Sequence, residues 1–135
     1  MKALIVEDDF TSRLLLQELL RGYGSSHVAV NGREAVTAVS VALQGKKPYD
    51  LICLDIMMPE MDGQRALKEI RAMEQQHAVV QAARILMTTA LSDKGNVMEA
   101  FRQQCDGYLV KPIEHAKLLG FLRRFQFIVD QGPPG

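Results

Sequence analysis

Short apolar runs alternate along the chain with longer stretches in which apolar residues recur every three or four positions. "KALIVE" (2–7) predicts a strand, and "TSRLLLQELLRGYG" (11–24) follows it with Leu15, Leu16, Leu19 and Leu20 at helical spacing. Thr11 or Ser12 is placed to cap that helix, and glycine closes it. "HVAV" (27–30) predicts a second strand. Asn31-Gly32 then opens a helix carrying Ala35, Val36, Val39 and Leu43, which Gly45 to Pro48 end. A third strand spans 50–55, and a helix from Gly63 to about Met73 sets Ala66, Leu67 and Ile70 on one face. "ARILMTT" (83–89) predicts the fourth strand, 93–105 the fourth helix and "GYLV" (107–110) the fifth strand. A last helix runs over about 114–129 with Leu118, Leu122 and Phe125.

Strands alternating with helices in this way predict an α/β fold, a parallel sheet covered on both faces, and the near-continuous apolar strands agree. Because crossovers are right-handed, both faces are covered only if the strand order reverses; ligands in such sheets gather at the carboxyl ends beside the reversal. The polar stretch 74–84, "EQQHAVVQAAR", is longer than this architecture needs and has no evident function. One domain over 1–130 is expected, with 131–135 ("QGPPG") a flexible tail or the stump of a linker.

Composition removes several classes of function. Apolar residues at 47% and charged residues at 24% are ordinary globular values. Sixteen basic residues cancel sixteen acidic ones, so net charge points to neither nucleic acid nor an anionic membrane. No apolar run nears the ~18–20 residues of a membrane span, and no signal-peptide pattern is present. Cys53 and Cys105 form no CxxC pair and fit a reducing, cytoplasmic setting.

The candidate chemistry stands at the strand ends. The first strand ends in Glu7-Asp8-Asp9, the third in Asp55 and the fourth in Thr88-Thr89, while Lys111-Pro112 follows the fifth. In a parallel sheet these ends converge. Crowded carboxylates either raise a pKa or bind a cation, and a hard divalent ion of the magnesium type is the natural neutraliser. Lysine adds a point positive charge and threonine a neutral donor. Metal-holding oxygens beside lysine and threonine describe phosphoryl transfer, with Asp55 as acceptor nucleophile. Plainer readings stand beside this one. Glu7-Asp8-Asp9 also suits a solvated turn that caps a helix, Thr88 and Thr89 ordinary strand-end hydroxyls on opposite sides, and Lys111 a loop lysine. Tyr108 suits the core, and Met57 and Met58 loop packing.

Taken in order, "LIVEDDFTSR", "LDIMMPEMDG", "ILMTTA" and "GYLVKPI" resemble the receiver domain of bacterial two-component response regulators, over about residues 2–129. The resemblance implies a flavodoxin-like doubly wound sheet of strand order 2-1-3-4-5. It implies a phosphoryl-accepting switch, not an enzyme beyond its own phosphorylation and dephosphorylation. By it, Asp55 is the phospho-acceptor. Glu7 and Asp8 hold Mg2+, with Asp8 and Asp55 as direct ligands, the Met57 carbonyl as a third, and Glu7 acting through water. Thr89 corresponds to the switch hydroxyl, Lys111 to the phosphate-binding lysine and Tyr108 to the aromatic that changes position on activation. The implied partners are a sensor histidine kinase or a His-containing phosphotransfer protein on the input side. On the output side stands a protein target or a second copy, bound through residues 93–127, with no direct nucleic-acid contact. The gap from Asp55 to Thr89 exceeds the family's usual one by several residues, which the 74–84 connection absorbs.

Rival functions fare worse. A haloacid-dehalogenase-type phosphatase wants a second Asp two residues after the nucleophile, where Met57 stands. A nucleotide or flavin binder would show GxxxxGK[ST] or GxGxxG, and neither occurs. A docking module that ignores phosphorylation has no need of Glu7, Asp8, Asp55, Thr89 and Lys111 together.

Overall fold

The computed structural model describes residues 1–58, 60–90, 95, 98–100 and 104–128. Its elements are β1 (Lys2–Val6), α1 (Phe10–Leu20) with a 3-10 turn over Arg21–Tyr23, β2 (Ser25–Ala29), α2 (Gly32–Gln44) and β3 (Leu51–Asp55). Then come α3 (Gly63–Gln76), β4 (Arg84–Thr89), β5 (Gly107–Val110) and α4 (His115–Arg124). All strand pairs are parallel and the order is β2-β1-β3-β4-β5, the expected doubly wound sheet. Of the helix predicted over 93–105, residues 95 and 98–100 are helical and most others lie outside the described residues, as does the tail 131–135.

Alternation along each strand sorts the core into two halves. One face carries Ala3, Ile5, Leu51, Cys53, Leu86 and Leu109 against Leu16 and Leu20 of α1 and Leu118 and Leu122 of α4. The other carries Leu4, Val6, Ile52, Leu54, Ile85 and Met87 against Ala35 and Val39 of α2 and Leu67 and Ile70 of α3. β3 is buried along its whole length, which is why its sequence is apolar without alternation. Each fully buried Leu or Ile contributes about 1.5–3 kcal/mol. Cys53 belongs to this packing, and burial pushes its thiol up to about 12.

Polar side chains start three helices at the carboxyl end of the sheet. α1 begins at Phe10, and its cap is Asp9 rather than Thr11 or Ser12: Asp9 Oδ2 accepts from the Ser12 amide at 2.8 Å. Asp9 precedes the first turn, where an acceptor meets free amides, whereas Thr11 and Ser12 already lie inside it. Asn31 Oδ1 accepts from the Glu34 amide at 2.8 Å and Asp62 Oδ1 from the Arg65 amide at 2.9 Å. Gly32 and Gly63 follow these caps because backbone crosses there. A Cβ on Gly32 would collide with the Met61 carbonyl, and one on Gly63 with the Asp55 carbonyl. Gly32 N donates to Met61 O at 3.1 Å and Gly63 N to Ile56 O at 2.8 Å, so both ends of the loop after Asp55 are held.

Several boundaries differ by one residue from the sequence expectation, and three differences are larger. β2 starts at Ser25, two residues early, because an edge strand with exposed side chains tolerates serine. α4 stops at Arg124, short of 129, and the chain turns at Gln126 with φ 65°. Phe125 and Phe127 then pack against the half-core that α1 and α4 cover, with the Phe125 ring centre 5.7 Å from that of Phe121 in a tilted pair and 5.9 Å from that of Phe127 in an edge-on one.

The third difference is α3, which continues to Gln76 and takes in the start of the 74–84 stretch. Glu74, read as polar surface, is buried. Arg71 holds it at 2.7 Å, donates to Ala83 O at 2.8 Å and Gln104 O at 3.0 Å, and pairs with Asp106 at 2.9 Å. Glu74 Oε2 accepts from Ala83 N at 2.7 Å and Asp106 Oδ2 from Ile85 N at 2.8 Å. Four backbone groups, the two acids and a second arginine, Arg84, paired with Asp106 at 3.2 Å, thus form with Arg71 a clasp that ties α3 to the starts of β4 and β5. A cleft of about 350 Å³ lies beside it, at the end of the sheet opposite the strand-end carboxylates. The arginine and both acids lining it are already paired.

Candidate functional site

Two residues beyond Ile5, Cys53, Leu86 and Leu109, all members of one half-core, stand Glu7, Asp55, Thr88 and Lys111. The same alternation that packs the apolar residues therefore places a polar layer above them. Carboxylate oxygens of Glu7, Asp8 and Asp55 all lie within 4.8 Å of one another. Glu7 and Asp55 are buried, whereas Asp8 is exposed. Lys111 joins them, with Nζ 2.5 Å from Glu7 Oε1 and 3.0 Å from Asp55 Oδ2. The bond before Pro112 is cis.

Burial raises the Glu7 pKa, and the neighbouring Asp55 carboxylate adds to the rise, while Lys111 opposes it. For Lys111 burial opposes the charged form, yet hydrogen bonds to Glu7 and Asp55 prevail and hold its pKa above the ordinary value. The site thus carries three acids against one base at the mouth of an apolar sheet. A hard cation bound by oxygen would relieve that imbalance, and the donor set suits the magnesium type.

The remaining predicted residues are placed as follows. Met57 N donates to Asp55 Oδ1 at 3.3 Å, which brings the backbone of residue 57 beside the acceptor, while its side chain is exposed. Thr89 is buried, and its hydroxyl donates to Ala90 O at 3.2 Å rather than to Asp55. Tyr108 stands opposite Met87, two residues before Thr89 on β4, with 42% of its surface exposed, so it is no core residue here. Sequence reasoning missed Arg13, whose Nη1 donates to Glu7 O at 3.1 Å and whose guanidinium lies 5.5 Å from the Phe10 ring centre. Its only signal was a basic residue in the first turn after an acidic pair.

A parallel sheet of order β2-β1-β3-β4-β5 with acids, a buried threonine and a lysine at its carboxyl end defines the response-regulator class. Residues 3–123 match the family described as the response regulator receiver domain, and the chain belongs to it. It is a receiver domain of two-component signalling. The transcriptional regulatory protein ZraR of Salmonella typhimurium is 36% identical over 116 residues, which cover 85% of this chain and 24% of that protein. The chain thus spans about a quarter of that relative's length. The receiver domain of Ssk1 from Saccharomyces cerevisiae, solved with the histidine phosphotransfer protein Ypd1, matches with TM-score 0.81 and 27% identity, over 96% of this chain and 93% of that one. The receiver domain of the histidine kinase CKI1 from Arabidopsis thaliana, complexed with Mg2+ and BeF3−, matches with TM-score 0.81 and 26% identity, over 93% and 89%. No helix among the described residues is long and apolar enough to cross a membrane.

Proposed function

We propose that this chain is a switch thrown by phosphorylation of Asp55, with a phosphohistidine on a kinase or phosphotransfer protein as donor. The observation that supports it is the meeting of the Glu7, Asp8 and Asp55 carboxylates with Lys111. An Asp55 carboxylate oxygen attacks phosphorus, the phosphorus–nitrogen bond to the donor imidazole breaks, and the electron pair stays on that nitrogen. Lys111 Nζ, already 3.0 Å from Asp55, pairs with a phosphoryl oxygen. Arg13 and the amide of Met57 keep Glu7 and Asp55 in place. Asp8, Asp55 and the Met57 carbonyl would hold Mg2+ directly and Glu7 through water; when bound, it offsets the negative charge gathered at the acceptor. The Ssk1–Ypd1 and CKI1 structures support both the donor and the ion.

The same reading extends to output. Phosphorylation brings about −1.5 to −2 charge and three acceptor oxygens. Thr89 gives up Ala90 O and turns toward one of them. Tyr108, on the same face one strand away, follows into the space vacated. The surface that changes is 93–127, which binds a protein target or a second copy of the chain. A few kcal/mol of differential contact shifts such a two-state equilibrium.

Two measurements test this. Adding Mg2+ should raise the melting temperature by mass action, about 1.4 kcal/mol at ten times Kd. Asp8→Ala should lose most of that rise at little cost to the metal-free protein, since Asp8 is exposed. A full rise in the variant would place the ion elsewhere. Beryllofluoride, an acyl-phosphate mimic, should shift resonances from Asp55 through Tyr108 to the 93–127 face. Thr89→Ala should still bind the mimic while the shifts stop short of Tyr108; shifts confined to the pocket in the parent protein would refute the switch.

A further inference from the structure

Thr88 is 1% exposed, and its Oγ1 has no hydrogen-bond partner among the described residues. A buried hydroxyl without a partner carries a desolvation penalty that valine, of the same shape, would avoid. This one is not in a random place. Thr88 lies directly beside Asp55 on the neighbouring strand and beside Leu109 on the other side. Its side chain belongs to the face that carries Glu7, Asp55 and Lys111. β4 separates β5 from β3 and β1, so Lys111 reaches Asp55 and Glu7 only by crossing β4. Thr88 is the terminal β4 residue on the face it crosses, whereas Thr89 points the other way and is bonded to Ala90 O.

Lysine has three donors; in this structure Lys111 donates one to Asp55 and forms an ion pair with Glu7. Once Asp55 is phosphorylated and Glu7 orients a water of a bound cation, Lys111 turns to the phosphoryl group, which leaves at least one of its three donors free. We propose that Thr88 is a further positioning residue of the acceptor site: its hydroxyl then accepts a hydrogen bond from Lys111 Nζ and holds the ammonium over β4, against the phosphoryl group. The inference rests on the acceptor reading given above. It explains why a hydroxyl lacks a partner in the resting arrangement: the partner is engaged one strand further on.

The test pairs Thr88→Val with Thr88→Ser, measuring metal-free melting temperature and beryllofluoride affinity in saturating Mg2+. Thr88→Val should melt about 2–4 °C higher without metal, because the unpartnered hydroxyl is gone. It should bind beryllofluoride roughly tenfold more weakly, the worth of one hydrogen bond to a charged group. Thr88→Ser should restore most of the affinity although it packs less well. Equal affinity in the parent and Thr88→Val overturns the proposal, and so does equal weakening by Val and Ser, which would mark a packing effect. Failure of the parent protein itself to bind the mimic would instead overturn the acceptor reading.

Discussion

Asp55→Asn is expected to abolish phosphoryl uptake. Incubated with Mg2+ and a small phosphodonor, the parent protein should gain one phosphoryl group by intact mass and the variant none, because an amide oxygen does not form the acyl phosphate. The fold should survive, since asparagine still accepts from the Met57 amide and from Lys111. A second signature follows from Glu7. Burial, then the Asp55 carboxylate, raise its pKa above the ordinary 4.5. The native state therefore keeps a proton that the unfolded chain has already released, so stability falls as pH rises from 4.5 toward the native pKa. Removing the Asp55 charge should shrink that fall without erasing it, because burial remains. Equal phosphoryl uptake by the Asn variant would refute the assignment of the acceptor; an unchanged pH profile would show that the two carboxylates do not interact.

Arg71→Met is expected to give the largest loss of stability, although it lies at the far end of the sheet. Its side chain is 12% exposed and serves Glu74, Asp106 and the carbonyls of Ala83 and Gln104. Truncating Arg71 leaves the buried Glu74 carboxylate without its cation, while Asp106 keeps Arg84 at 3.2 Å; breaking a buried charge network in this way costs about 3–5 kcal/mol. For a domain of this size that lowers the melting temperature by roughly 10–15 °C. Adding Glu74→Gln should recover part of the loss, since glutamine still accepts from Ala83 N but carries no charge. Phosphoryl uptake per folded molecule should not change. A loss under about 1 kcal/mol would show that water serves these groups as well as Arg71 does.

How much of this was legible in the sequence depended on what each residue had to do. β1, β3 and β4 were legible because strands buried on both faces are written as apolar runs, and β5 because its residues are apolar although one face is partly exposed; the polar residues that end these strands stood out by contrast. Asp55 stood out for that reason, and the role proposed for it came from the residues at the other strand ends and from the family resemblance. β2 was placed two residues late because Ser25 and Ser26 sit on an exposed edge and carry no apolar signal. The clasp was invisible: Arg71 and Glu74 look like an exposed helical pair at spacing i, i+3, and nothing local connects them to Asp106, 35 residues beyond Arg71. Thr88 was dismissed as an ordinary hydroxyl because a sequence gives the order of residues on one strand, not what a lysine from another strand must cross. Asp9 was counted with its acidic neighbours in a turn that could cap the helix, and that Asp9 itself is the cap emerged from the first turn it closes.

The clasp also bears on how failure would look in a genetic screen. The groups that would exchange phosphate stand at one end of the strands and those that fasten the 74–84 connection at the other, with about 17 Å of sheet between them. Loss-of-signal alleles should therefore fall into two populations. Alleles at Asp8 or Asp55 would leave a stable, abundant and silent protein. Alleles at Arg71, Glu74 or Asp106 would leave a competent but scarce one, rescued by lower temperature or higher expression. Immunoblotting before any assay of signalling would separate the two.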